Sequence, residues 1–468
     1  MLLRRLPRIF LVLLFFLFAL LASPSGPVLA DEDPPVFVSM WGSSGSGEGE
    51  LYEPACIAID SADNIYVADS GNCRIQKFDS AGNFVTEWGS VGSDPGQFQE
   101  PWGIDIDSGD NVYVADVLGN RVQKFDSSGY FLLEWGSPGD GEGEFSAPHG
   151  LAIGGNDGVY VVDSGNYRVQ KFDADGDFVL EWGSVGSAPG QFWLPVGIEA
   201  DAFGDIFVSD PLRNYIQEFS EAGVFSDGWG MSGSFKGQFD QPFDLAVDFA
   251  GNIYVTDAFN YRVQKFSPSK QFLCQWGISG DGEGEFDWPL GIAIRTDGRI
   301  FVSEFLNCRV QEFGYVATMD LELTTGWNMV SVPVLPDDPS VSAVFPGVDA
   351  VYTWNPVARS YDVPDTVTPD GGYWVAVSSD RVLSVEGVVL NRWTTDLQPG
   401  WNMVGSVHGG VCSFLEPDDD PCDSVEAFTY CWDPVSKSYQ YGTEICPCQG
   451  YWVAATDSCV LTVGPPVP

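Results

Sequence analysis

Short runs of apolar and polar residues, punctuated by Gly, Asn, Asp and Ser, fill the chain from about residue 36 to 315. One stretch shows the scheme. Ile57-Ala58-Ile59 alternates, and Ser61 to Asn64 turns. Ile65-Tyr66-Val67-Ala68 follows, then a turn at Asp69 to Asn72. Arg74 to Phe78, a turn at Ala81-Gly82-Asn83, and Phe84 to Trp88 complete it. The runs are β-branched and aromatic, and the turn residues tolerate left-handed geometry, so the pattern predicts four strands joined by hairpins. Apolar residues at both parities of Ile65 to Ala68 predict a strand buried on both faces.

The pattern repeats every 47 residues without insertion or deletion. Tryptophan recurs at Trp41, Trp88, Trp135, Trp182, Trp229 and Trp276. An acid recurs at Asp69, Asp116, Asp163, Asp210, Asp257 and Glu304. A strict period of this size marks an array of identical supersecondary units, and four hairpin-linked strands make one propeller blade. First strands start near Cys56, Gly103, Gly150, Gly197, Asp244 and Gly291. The sixth unit ends at Phe313 without a fourth strand, whereas Phe37 to Gly42 is a fourth strand with no unit before it. The expectation is an all-β, six-bladed ring that the N-terminal strand closes, hiding its edges.

The units resemble NHL repeats. The matching stretches include Gly96-Gln97-Phe98 with Pro101 and Gly103-Ile104, Asn111-Val112-Tyr113-Val114-Ala115-Asp116, and Asn120-Arg121-Val122-Gln123-Lys124-Phe125. The resemblance covers residues 37–313 and implies a six-bladed propeller. This chain departs from it in two ways. The histidine common just before the arginine is absent, and blade four has Tyr215 in the arginine's place.

Other features divide the chain. Residues 1–30 read as a secretory signal, with Arg4, Arg5 and Arg8, an apolar run from Ile9 to Leu21, and Val28-Leu29-Ala30 before Asp31. The propeller spans 31–315. Beyond it, Gly326-Trp327-Asn328-Met329-Val330 returns as Gly400-Trp401-Asn402-Met403-Val404, and Tyr373-Trp374-Val375 returns as Tyr451-Trp452-Val453. Two small β modules are expected, at 316–395 and 396–468. They resemble the Gly-Trp-Asn and Gly-Tyr-Trp-Val modules that trail many secreted bacterial proteins. The expected location is therefore extracellular, at the cell surface, or in a bacterial periplasm.

Acids outnumber bases 66 to 21, for a net charge of −45. Such a surface repels nucleic acid and anionic membrane, and no second apolar span follows residue 30. Ten cysteines in an exported chain favour disulfides. A bridge among Cys56, Cys73 and Cys308 would brace blade one or fasten it to blade six, with Cys274 apart on an outer strand. Cys412, Cys422, Cys431, Cys446, Cys448 and Cys459 crowd the second module, and their fifteen connectivities stay open.

Candidate chemistry is sparse. The recurrent acids from Asp69 to Glu304 head turns and mostly have an arginine five residues on, which reads as turn capping and ion pairing. The Gly-Glu-Gly-Glu stretches and Asp173-Ala174-Asp175-Gly176-Asp177 offer weak calcium binding at most, because the distal glutamate of a calcium loop is missing. His149 in Pro148-His149-Gly150 resembles a metal-ligand position of propeller lyases. The equivalent residues Ala55, Trp102, Val196, Phe243 and Leu290 supply no partner, and the other histidine, His408, lies in the C-terminal part. Asp105, Glu199 and Asp244 interrupt the repeat on the channel-lining first strands. The bulky departures gather on one rim: Trp102, Trp193, Phe243, Trp288 and Leu290 enter first strands, and Val117, Leu118, Leu212, Phe259, Phe305 and Leu306 occupy the turns after second strands. Apolar groups clustered on a rim mark a binding surface. The sequence thus points to a secreted, non-catalytic binding or scaffold protein. Its partner is a protein or glycan held by Trp102, Phe243, Phe259, Trp288 and Phe305, with His149, Asp105, Glu199 and Asp244 nearby, and no cofactor is required. The competing reading is a carboxylate-metal hydrolase or lyase of the propeller lactonase type, working in the channel.

Overall fold

In a computed structural model, the residues described are 32–332, 334–336, 338–389, 393–397, 400–404, 412–413, 425–433, 438–442, 444–445, 451–455 and 459–463. The expected signal lies outside them, as do Cys422, Cys446, Cys448 and His408.

Six four-stranded antiparallel sheets follow the 47-residue period. Blade one comprises Pro54–Ile59, Ile65–Asp69, Arg74–Phe78 and Phe84–Trp88, paired in that order. Every residue of Ile65–Asp69 is buried. Blade six contains Pro289–Ile294, Ile300–Glu304 and Arg309–Gly314, and its fourth strand is Val36–Trp41, antiparallel to Arg309–Gly314.

The recurrent tryptophan wedges between sheets. Trp88 meets Tyr66 of its own blade at 6.0 Å and Phe125 of the next at 5.8 Å. Trp41 does the same between the last blade and the first, meeting Phe301 at 5.8 Å and Phe78 at 6.0 Å. The wedge needs bare backbone opposite it. Gly129 has φ +85°, and a Cβ there would lie 2.6 Å from the Trp88 ring.

The recurrent acids are fully buried. Asp69 accepts from Tyr52 N (2.7 Å), Arg74 Nε (2.7 Å) and Gln76 Nε2 (3.0 Å). Arg74 in turn donates to Ser46 O, Gly47 O and Glu50 O. The pair therefore pins the long loop entering the blade to its second and third strands. In blade four Arg213, two residues before Tyr215, takes over. Its guanidinium donates to Gln191 O (2.6 Å) and Ser187 O (3.0 Å) and lies 4.0 Å from Asp210.

After Tyr315, Val316–Leu323 pairs with Arg381–Val389 over a core that includes Leu321, Val332, Phe345 and Val375. A four-residue helix, Val341–Val344, interrupts the expected all-β pattern, capped by Ser340. The sheet ordered Gly326–Val330, Tyr373–Val377, Ala350–Asn355, Ser360–Asp362 recurs as Gly400–Val404, Tyr451–Ala455, Val425–Asp433, Ser438–Gly442. The strand Trp393–Leu397, paired with Cys459–Val463, crosses the division expected at 395.

Candidate functional site

Each first strand starts, and each second strand ends, at the same rim. Gly71, in the turn after a second strand, donates to Tyr52 O in the loop entering the first. The bulky departures from the repeat meet there. His149 lies edge-on to Trp102 with centroids 5.4 Å apart, and Trp102 is 6.3 Å from Phe305. Phe305 is 5.1 Å from Trp288, which contacts Phe259 at 5.5 Å and Phe243 at 6.2 Å. Six rings from blades two, three, five and six thus form one connected cluster. Its contact between Trp102 and Phe305 passes over blade one, where the equivalent residue is small, buried Ala55.

Trp288 holds φ +59°, a left-handed conformation that bulky residues rarely adopt. Its indole N–H is buried without a hydrogen-bond partner. On the same rim Leu118, Trp193, Leu212, Phe259 and Leu306 are exposed. Val117 and Leu290, expected on this rim, are instead buried at 5% and 2% exposure, packed into the blades.

The imidazole of His149 donates from Nδ1 to Ala147 O at 2.9 Å. That bond fixes the tautomer and leaves Nε2 as an acceptor. Burial pushes its pKa down, so the ring is neutral near pH 7.

Below the rim the first strands line a channel with a cavity of about 150 Å³. Pockets for drug-sized ligands begin at roughly 300 Å³. Asp105, Glu199 and Asp244 face it with Cys56. Burial raises Asp105 to about 6 and Asp244 to about 7. Glu199 rises well above the usual range through burial, then through Asp105 and Asp244. No lysine or arginine is among the groups acting on them.

These acids are also staples between blades. Asp105 accepts from Ile153 N at 2.6 Å and Asp244 from Ile292 N at 3.1 Å, each on the next blade's first strand. Glu199 accepts from Val247 N likewise. The repeat offers Ala or Gly at these positions in most blades, which made the acids visible in the sequence. The partner 48 residues on was not. Among the described residues, no group of three or more His, Cys, Asp or Glu side chains is disposed to hold a metal.

No bridge joins Cys56, Cys73 and Cys308, whose thiols are free. Cys56 turns into the channel beside Asp244, whereas Cys73 points to Gln99 O and Cys308 to the carbonyls of its own turn.

The NHL repeat family matches residues 51–78, 98–125 and 145–172. The chain thus carries NHL repeats in a β-propeller. No curated protein matches it. Among solved structures, a streptogramin B lyase is 17% identical with a TM-score of 0.43, over 61% of this chain and 94% of that one. A protein of unknown function from Bacteroides thetaiotaomicron is 18% identical with a TM-score of 0.47, over 60% and 76%. A gluconolactonase from Xanthomonas campestris is 14% identical with a TM-score of 0.45, over 62% and 99%. At these identities and scores, none of the three bears on what this chain does. No helix among the described residues is long and apolar enough to cross a membrane.

Proposed function

We propose that this chain is a secreted binding or scaffold protein. Its six-bladed ring, closed by the N-terminal strand and followed by two β modules, presents the aromatic rim to a protein or glycan partner. One observation carries the reading: six of the bulky residues that break the repeat on this rim bear rings and meet in a single connected cluster. The blade fold does not require such residues, since other blades hold together with Ser, Gly and Ala at these places. Rigid aromatic anchors amid apolar neighbours are the groups that dominate binding energy at interfaces. The channel acids favour a structural role, because backbone N–H groups of neighbouring blades already occupy oxygens of each.

The test uses defined panels of peptides and oligosaccharides against the purified full chain. Hits are re-measured on Phe259→Ala with Leu306→Ala, and metal content is determined alongside. Loss of affinity in the double variant supports the rim. Unchanged affinity for every hit, or a stoichiometric metal held in the channel, overturns it.

A further inference from the structure

The charge around the rim has one sign, and the reason lies inside the blades. Among the described residues of the propeller, Lys236 is the one exposed base, lying over the Phe272 ring. Every other lysine and arginine is buried or half-buried and held in an internal ion pair. Arg74, Arg121, Arg168, Arg262 and Arg309 serve the recurrent acids, and Arg213 serves Asp210. Lys77, Lys124, Lys171, Lys265, Lys270, Arg295 and Arg299 pair with acids elsewhere in the propeller or with Glu32. The acids on the loops entering first strands have no such duty. Glu48, Asp94, Asp140, Glu142, Asp281 and Glu283 are exposed on those loops.

Two more acids stand within the cluster's own register. Glu53 and Glu100 occupy the place in the repeat that Trp288 occupies before blade six, directly ahead of the first-strand proline. Glu53 shares the left-handed backbone of Trp288, with φ +52°. Glu100 immediately precedes Pro101 and Trp102. Its carboxyl is raised by burial, by Asp116 and by Glu53, with no base among those causes. Blade one, which the Trp102–Phe305 contact passes over, is thus flanked by these two carboxylates.

We infer that the rim's occupant is a lysine- and arginine-rich segment of a partner protein. This rests on the rim-binding reading and narrows it. Aromatic faces attract ammonium and guanidinium groups, and ionised carboxylates at the cluster's edge complete a cationic side chain's environment. A neutral oligosaccharide would stack on the aromatic faces and donate its hydroxyls to the carboxylates, but the surrounding negative charge would not draw it in. The acidic field speeds encounter with a basic partner, and the aromatic cluster decides where it seats.

The probe is a short fluorescein-labelled Arg-Lys-Gly peptide, titrated into the full chain by anisotropy, with an Asp-Glu-Gly peptide and a neutral oligosaccharide alongside. The basic peptide is expected to bind, more weakly as salt rises. Phe259→Ser with Leu306→Ser, and separately Glu53→Gln with Glu100→Gln, should each weaken it by about tenfold, the scale of one lost anchor. Asp175→Asn with Asp177→Asn, exposed acids of a turn on the opposite rim, should leave it unchanged. Near-ultraviolet circular dichroism verifies that each variant is folded. Equal binding by the Phe259/Leu306 variant, or equal loss in the Asp175/Asp177 variant, would show diffuse attraction to an acidic surface and overturn the inference. Rim-dependent binding of the oligosaccharide in place of the basic peptide would overturn it too, while leaving the broader rim reading standing. Binding of neither probe at the rim would count against both.

Discussion

Trp288 stacks on Phe259 with ring centroids 5.5 Å apart and planes 27° from parallel, although its own backbone is left-handed. The contact joins a first-strand entry to the turn of the preceding blade. Glu53, Ala147 and Gln241 hold the same left-handed backbone at this place in the repeat, so the conformation belongs to the blade and the ring is what Trp288 adds.

Substitution at this position separates the ring's contribution from the backbone's. Trp288→Ala should cost about 1–2 kcal/mol, less than the roughly 3–5 kcal/mol of a fully buried tryptophan, because the ring is half-buried. Trp288→Gly relieves the left-handed backbone and should be at least as stable as the alanine variant. Urea denaturation ranks the two. A glycine variant clearly less stable than the alanine variant would show that φ is not positive there.

The buried ion pairs make a second prediction. Arg121→Met leaves Asp116 buried without its arginine and should cost about 3–5 kcal/mol. Arg213→Met should cost less, since Arg213 is 4.0 Å from Asp210 against 3.3 Å for Arg121 and Asp116. Equal losses in chemical denaturation would refute the idea that Arg213 is a partial substitute.

The channel acids set a pH dependence whose sign is fixed. Asp105 and Asp244 are raised to about 6 and about 7 in the fold, against roughly 3.9 in the unfolded chain. Their contribution is therefore full below about pH 4 and lost as pH rises through 6 to 7. Asp244→Asn keeps an acceptor for Ile292 N and cannot ionise. It should melt higher than the parent at pH 8, by about 2–4 °C for each kcal/mol recovered, with the gain vanishing near pH 4. A gain independent of pH would falsify the assignment.

Removing residues 31–42 strips the strand that pairs with Arg309–Gly314 and the Trp41 wedge between Phe301 and Phe78. The exposed edge should promote aggregation and lower the melting temperature. Light scattering and calorimetry check both, and an unchanged protein would contradict the pairing.

The repeat was legible because every blade solves the same packing problem. Trp88 and its copies, the acids and the turn glycines recur where the inter-blade wedge and the loop anchor demand them. The rim was legible for the opposite reason: Trp102, Phe243, Trp288 and Phe305 stand out against a strict background. What escaped was side-chain reach. Nothing in the spacing of Arg213 announces that it replaces the arginine missing at Tyr215. Asp105 does not reveal that it reaches Ile153 N. The burial of Val117 and Leu290, beside exposed Leu118 and half-buried Phe305, depends on which way each turn rotates its side chains. The free thiols were misjudged because cysteines on one rim looked near enough to bridge, whereas their sulfurs point apart.

Hydrogen exchange on the full chain, alone and saturated with whichever ligand binds best, tests the central claim most directly. Slowed exchange is expected in Asp257–Tyr261 and Glu304–Cys308, with the opposite turn at Ala81–Asn83 unchanged. Protection confined to the opposite turns or to the channel strands, with both rim loops exchanging as in the free chain, would contradict it.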